Sequence, residues 1–258
     1  MFDFSKISKK SLIGKFLRKI LKLLPKNSVL PILQGKLRGT KWIISSGVFS
    51  YWLGCYESEK QKSFIKQIKS GDVVYDIGAN VGFYTLLASK LVEDRGRVYA
   101  FEPLPRNIFY LKKHISLNKL KNVEIIETAV SDKEGEENFL EADSVTSRLD
   151  SVGSFKVKTI SLDNLVKNKK ILPPNVMKID VEGAELKVLL GVKDIIEKYK
   201  PIIFIALDNP DTKEKVIQMI KNFGYNIFDL NFQDIQEINN ISEIICIKNE
   251  NINFRTFK

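Results

Sequence analysis

VVYDIGANVGFYT, residues Val73 to Thr85, reads as an apolar strand running into Asp76, a turn holding Gly78 and Gly82, and a helix that opens at once. Glycines have no Cβ, so the backbone can approach a ligand closely, and the free N–H groups of a new helix face whatever lies there. A carboxylate closing the strand suits a ligand that carries cationic groups and would repel a pyrophosphate. The spacing is G-A-N-V-G, not the G-x-G-x-x-G of dinucleotide binders. An ordinary tight strand-to-helix turn is the competing explanation, and the rest of the chain has to decide against it.

Downstream, a helix over 82–92 leads into a second apolar strand, RVYAFEP, ending at Glu102. An acid about 20 residues past a glycine turn is where a Rossmann-like sheet places the carboxylate that takes both ribose hydroxyls. Glu102 therefore reads as a ribose clamp. A third strand, VEIIETAV, ends near Thr128 to Asp132, where Ala129 and Val130 offer an apolar wall and backbone groups to an adenine ring. A strand, an acid and a glycine turn of this kind are where a class I methyltransferase holds S-adenosylmethionine (AdoMet).

Apolar runs at 155–160, 176–179, 201–207, 225–230 and 244–247 alternate with helical patterns at 161–167, 184–198 and 212–223. Such alternation predicts an α/β fold of the Rossmann-like class I methyltransferase type. Its sheet is mostly parallel and seven-stranded, with helices on both faces and a C-terminal antiparallel hairpin. Ligands on such a sheet bind outside the carboxyl ends of its strands. Asp76, Glu102 and Asp180 all stand at those ends and should converge on one crevice.

VMKIDVEGAELKVLLG, Val176 to Gly191, puts Asp180 and Glu182 on a single turn beside the expected methyl donor. An amino-group methylase of nucleic acid would carry N-P-P-[YF] or D-P-P-Y there, and the Pro173-Pro174 pair precedes the strand instead. An acidic pair suits an acceptor hydroxyl, whose proton must leave as oxygen attacks the methyl, assisted by a carboxylate or a metal ion. Asp180 is the first candidate base and Glu182 the second, with helix capping as the structural alternative for both. A metal held by these two and Asp208 is conceivable, but no dense acidic cluster requires it. The single histidine, His114, falls on the helix after the second strand and is expected on its solvated face.

The chain has 258 residues, 44% hydrophobic and 28% charged, enough for one large α/β domain with an appendage. Two isolated cysteines, Cys55 and Cys246, fit reduced thiols in a cytoplasmic chain. No apolar run reaches the roughly 20 residues of a membrane span. The net charge of +10 is concentrated at the start, where residues 1–26 hold eight Lys or Arg against Asp3 alone. Ile13, Phe16, Leu17, Ile20, Leu21 and Leu24 share one helical face there, with Lys15, Arg18, Lys19 and Lys22 on the other. That basic amphipathic pattern suits either peripheral contact with an anionic membrane, at its inner face, or packing on the chain's own core or a partner. Residues 1–40 divide as this helix and a linker, and 41–258 as the catalytic domain. Tyr51, Trp52 and Tyr56 are candidates to line an acceptor pocket.

GDVVYDIGANVGFYT, RVYAFEPLPRN, TISLDNL and VMKIDVEGAELKVLLG, in this order and spacing, resemble the FkbM family of AdoMet-dependent methyltransferases. The resemblance runs from about Tyr56 to Leu207. It implies O-methyl transfer to hydroxyls of sugars, polyketides or related products, with AdoMet as cofactor and a carbohydrate or other hydroxyl-bearing acceptor as partner. By its motif, Asp76, Gly78, Asn80 and Gly82 would form the methionine-side turn, Glu102 would take the ribose, and Asp180 and Glu182 would face the reaction centre. Ser144 to Ser147 match a Ser-rich family loop. The strand after Pro201 departs from the pattern, because Ala206 stands where the family often has Glu and Asp208 follows two residues later. The rival functions are an RNA methyltransferase, disfavoured because no basic-aromatic interleaving extends into the body of the chain, and a membrane-docked protein that kept the fold without the chemistry.

Overall fold

The computed structural model describes residue 25 and residues 27–140, 148–149, 155–235 and 241–249. The expected amphipathic stripe from Ile13 to Leu24 and the Ser144–Ser147 loop lie outside the described residues.

A hairpin of β1 (Val29–Pro31) and β2 (Lys41–Ile43) precedes the main sheet. The chain then forms β3 (Val73–Ile77), β4 (Arg97–Phe101), β5 (Val123–Ile126), β6 (Ala129–Val130), β7 (Gly135–Leu140), β8 (Arg148–Leu149) and β9 (Phe155–Ile160). It ends with β10 (Val176–Ile179), β11 (Ile202–Ala206), β12 (Tyr225–Phe228) and β13 (Glu243–Lys248). Seven of these make one sheet in the order β12-β13-β11-β10-β3-β4-β5, in which β13 alone runs opposite to the other six. The order reverses between β3 and β10, so the crevice of this doubly wound sheet opens above the carboxyl ends of those two strands.

Side chains alternate between two buried faces, as a sheet covered on both sides requires. Tyr75, Ile77, Met177 and Ile179 pack into one core under the helices Glu185–Gly191 and Pro210–Asn222. Val74, Val98, Val176 and Phe204 pack into the other, against the helix Phe83–Val92.

Two expected elements need correcting. Phe155–Ile160 does not enter the main sheet. It pairs with β6 and β7 in a separate four-stranded sheet, because the main-sheet strand β5 ends at Ile126 and the chain continues as β6 in that second sheet. The helix expected over 184–198 is two helices, Glu185–Gly191 and Lys193–Tyr199, meeting at Val192. Ile32 and Leu37 are buried in the same core as Trp42 and Leu87.

His114 is not on a solvated face but fully buried, with its ring stacked on Trp42 at 3.8 Å. Nδ1–H donates to the Val81 carbonyl (2.7 Å) and Nε2 accepts from Ile43 N–H (3.1 Å), which fixes one neutral tautomer and ties β2 to the glycine turn. Burial lowers its pKa to about 4, against the weaker opposing pull of the Val81 carbonyl. The unfolded chain takes up this proton below about pH 6.5, so the stabilisation is whole above that pH and drains away as pH falls towards 4. Between pH 7.5 and 4.5 the wild type should therefore lose about 2–3 kcal/mol more than His114→Phe in paired urea titrations. Equal losses in the two proteins would remove this role.

Candidate active site

The site begins with the turn after β3. Gly78 N–H and Ala79 N–H both donate to the Phe101 carbonyl (3.0 Å), and Asp180 N–H donates to the Ile77 carbonyl (3.1 Å). The turn is thereby stitched between the ends of β4 and β10. Gly78 has φ +78°, and a Cβ there would sit 1.8 Å from the Asp180 carbonyl oxygen, so only glycine allows the approach. Gly82, at φ +97°, lies where a Cβ would meet Leu111 at 2.6 Å. Its role is to seat the helix Phe83–Val92 against the helix Pro105–Leu117.

Above this turn is a cavity of about 240 Å³. Of the residues singled out from the sequence, Gly78, Asn80, Glu102, Ala129, Val130, Asp180 and Glu182 line it, as do Tyr51 and Tyr56. Asp76, Gly82 and Trp52 are not among its lining residues. Asp76 is fully buried beneath the turn, where Thr85 Oγ1–H donates to Oδ2 (2.6 Å) and Lys178 Nζ lies 3.3 Å from Oδ1 without an aligned hydrogen bond. Lys178 reaches it because the two residues are neighbours in the β3–β10 register. Trp52 Nε1–H donates to the Pro31 carbonyl and serves packing.

Glu102 sits at the end of β4 with one face to the cavity. Its carboxylate accepts from Asn80 N–H (2.7 Å), Leu104 N–H (3.0 Å) and the Asn107 amide (3.2 Å). Burial pushes its carboxyl up to about 7, and these three donors and Lys178 hold it from rising further. Asn80 itself adopts φ +50°, and its Oδ1 accepts from Val81 N–H (2.8 Å), a local bond that offsets the cost of the left-handed conformation.

Asp180 and Glu182 stand two residues apart in opposite electrostatic settings. Burial alone would raise the Asp180 carboxyl, but the ammonium groups of Lys178 and Lys60 outweigh it and hold it well below the usual carboxylate range. Both ammonium groups address the same oxygen, Oδ2, at 3.3 and 3.2 Å. Glu182 is pushed up to about 7, by burial first and then by the charges of Asp208, Asp180 and Glu185. Lys60 also pairs with Glu57 (3.3 Å) and with Glu243. Tyr84, whose hydroxyl donates to Glu57 Oε2 (3.0 Å), closes this wall. Among the described residues no group of three or more His, Cys, Asp or Glu is placed to hold a metal ion.

Lys60, Lys178, Tyr84 and Glu243 were not legible as site residues from the sequence. Lys178 had a signal available, a lysine within an otherwise apolar central strand. Glu243 explains the departure at Ala206. The two residues are cross-strand partners of β11 and β13, so their side chains share a face, and the acid missing from one strand is supplied by the next.

A doubly wound sheet of this order, with a glycine turn under the cavity and an acid ending the neighbouring strand, defines a Rossmann-like class I methyltransferase. The FkbM methyltransferase domain matches residues 76–227, more than half of the chain, and the chain belongs to that family. Among characterised relatives, the hexuronic acid methyltransferase AglP of Haloferax volcanii is 30% identical over 161 residues, covering 61% of this chain and 65% of AglP. The 31-O-demethyl-FK506 methyltransferase FkbM of Streptomyces tacrolimicus is 22% identical over 198 residues, covering 62% of this chain and 75% of that protein. The crystal structure of methyltransferase FkbM from Methylobacillus flagellatus shares the fold with a TM-score of 0.51 at 14% identity, over 77% of this chain and 53% of that one. The match thus spans less than two thirds of AglP and about half of the Methylobacillus protein. No helix among the described residues is long and apolar enough to cross a membrane.

Proposed function

We propose that the chain is an AdoMet-dependent O-methyltransferase acting on a hydroxyl of a carbohydrate acceptor. The observation that carries the reading is one cavity lined by three carboxylates in different settings. Glu102 is buried beside the glycine turn, Asp180 is held by two ammonium groups, and Glu182 follows on the turn after β10 with its carboxyl near 7.

The residues fit AdoMet. Gly78 lets the turn close against Asp180 and itself lines the cavity, Glu102 keeps acceptor capacity on Oε2 for ribose hydroxyls, and Leu104, Ala129 and Val130 offer an apolar wall to the adenine. When bound, AdoMet supplies an electrophilic methyl on a sulfonium. Asp76 acts from below, through Lys178 and the geometry of the turn.

Of the two acids first considered as base, Glu182 is favoured over Asp180. A group with its pKa near the working pH is both ionised often enough and basic enough to take the acceptor's proton, whereas Asp180, bracketed by ammonium groups, is a weak base. Asp180 contributes fixed negative charge at the cavity wall. The sugar acceptor is favoured by the relationship to AglP, and the phenols of Tyr51 and Tyr56 offer flat faces to a pyranose.

The test has two stages. Calorimetry should give saturable AdoMet binding that Glu102→Gln weakens about tenfold or more, since a neutral amide cannot accept from two backbone N–H groups and a ribose diol together. Affinity for AdoMet should also fall as pH drops through about 7, where Glu102 takes up a proton. Labelled AdoMet is then offered with a panel of glycans, including lipid-linked ones in anionic vesicles, because the basic face of residues 1–26 suits a membrane-linked acceptor. Absence of AdoMet binding, or binding with label reaching no hydroxyl, would overturn the reading.

A further inference from the structure

We infer that Lys60 is a positioning residue of this site: it pins the Asp180 carboxylate in place and leaves Glu182 as the group that takes the acceptor's proton. The inference rests on the function proposed above and deepens it.

Lys60 lies on the helix Ser58–Gln67, and Glu243 opens β13, so both stand outside the segment 76–227 that defines the family. Its side chain keeps only 3% of its surface, yet it carries a charge, and a buried ammonium persists only when compensated. Compensation comes from three separate elements. Glu57 precedes its own helix, Asp180 follows β10, and Glu243 faces it from β13. Tyr84, from the helix Phe83–Val92, presents its ring 5.4 Å from the ammonium, and the like charge of Lys178 shares the Asp180 oxygen.

The consequence for Asp180 is mechanical as well as electrostatic. Its Oδ2 is bracketed by Lys60 and Lys178, so the carboxylate cannot rotate towards a substrate hydroxyl without stripping both ammonium groups. Among the described residues the ion pairs of the site run through Asp76, Glu57, Asp180 and Glu243, and none involves Glu182. Two carboxylates on one turn are thus given separate tasks, one locked and one free. Half of the lock, Lys178, lies within residues 76–227, and the other half, Lys60 with Glu243, comes from outside them.

The test replaces Lys60 and one of its counter-charges together, Lys60→Met with Glu243→Gln, so that less buried charge is left unpaired than in the single change. Carboxyl NMR titration of the ligand-free protein reads Asp180 and Glu182 directly. In the wild type Asp180 should stay ionised to the lowest pH the fold survives, and in the double variant its titration should move up by about one pH unit or more. In turnover, kcat at saturating AdoMet should fall about tenfold or more, with Lys60→Arg restoring most of it and KM for AdoMet little changed. An unmoved Asp180 titration in a folded double variant overturns the inference, and so does an unchanged kcat. The titration needs no turnover, so it judges Lys60 even if the wild type transfers no methyl, an outcome that would sink the functional proposal on its own.

Discussion

Replacing Glu182 by Gln is expected to lower kcat by about 10²–10⁴-fold, the usual contribution of a positioned base, while AdoMet still binds. The size follows from what is left. The substituted amide keeps the shape of the turn, where residue 182 has φ +53°, but cannot accept a proton. The pH profile separates this from mere damage. Glu182 takes up its proton as pH falls through about 7, so wild-type kcat should decline on the acid side with that midpoint, roughly tenfold per pH unit. Glu182→Gln should lack the limb. Asp180→Asn, by contrast, should slow the enzyme yet keep the limb, because it uncovers Lys60 and Lys178 without removing the base. A Glu182→Gln enzyme with near wild-type rate would return the assignment to Asp180 or to solvent.

Gly78→Ala should be the most damaging single methyl in the molecule. Its Cβ would stand 1.8 Å from the Asp180 carbonyl oxygen, a backbone atom that cannot swing aside, and φ +78° adds the left-handed penalty. The ends of β3 and β10 would have to part, which should cost about 3 kcal/mol or more and lower the melting temperature by roughly 6–12 °C. AdoMet affinity should fall about tenfold or more, since the floor of the cavity moves. Gly71→Ala is the control. It shares a positive φ, +90°, but has nothing within 4 Å, so it should show only the backbone cost of about 1 kcal/mol and normal binding. Similar melting curves for the two variants would mean that the close approach is not what glycine at 78 provides.

Much of this was legible along the chain because it is local. An apolar strand, a glycine turn and a helix are written in consecutive residues, and the acid closing the next strand follows at a spacing the sheet dictates. The seven-stranded sheet, its closing hairpin and the lining positions Gly78, Asn80, Glu102, Ala129, Val130, Asp180 and Glu182 could be read in that way. Other features could not. β9, FKVKTI, alternates buried residues with the exposed Lys156 and Lys158, the pattern of a strand with one solvated face, but its residues do not name the strands it pairs with. The helix Ser58–Gln67 buries Lys60, Gln61, Ser63 and Gln67 along with Phe64, the reverse of the polar-out pattern by which amphipathic helices are recognised. His114, likewise, is a polar residue on a helix until Ile43 and Val81 are brought to its two nitrogens.

The amino-acid order alone determined that this chain folds as a doubly wound sheet and where along it a nucleoside-bearing ligand would lie, since periodicity and turn chemistry act over a few residues. Only the tertiary structure decided that Asp180 is held in ion pairs while Glu182, two residues on, has none among the described residues. Proton affinity depends on charges a few ångströms away, and Lys60 reaches Asp180, with Glu243 reaching Lys60 from 183 positions further along, only after the chain has closed on itself.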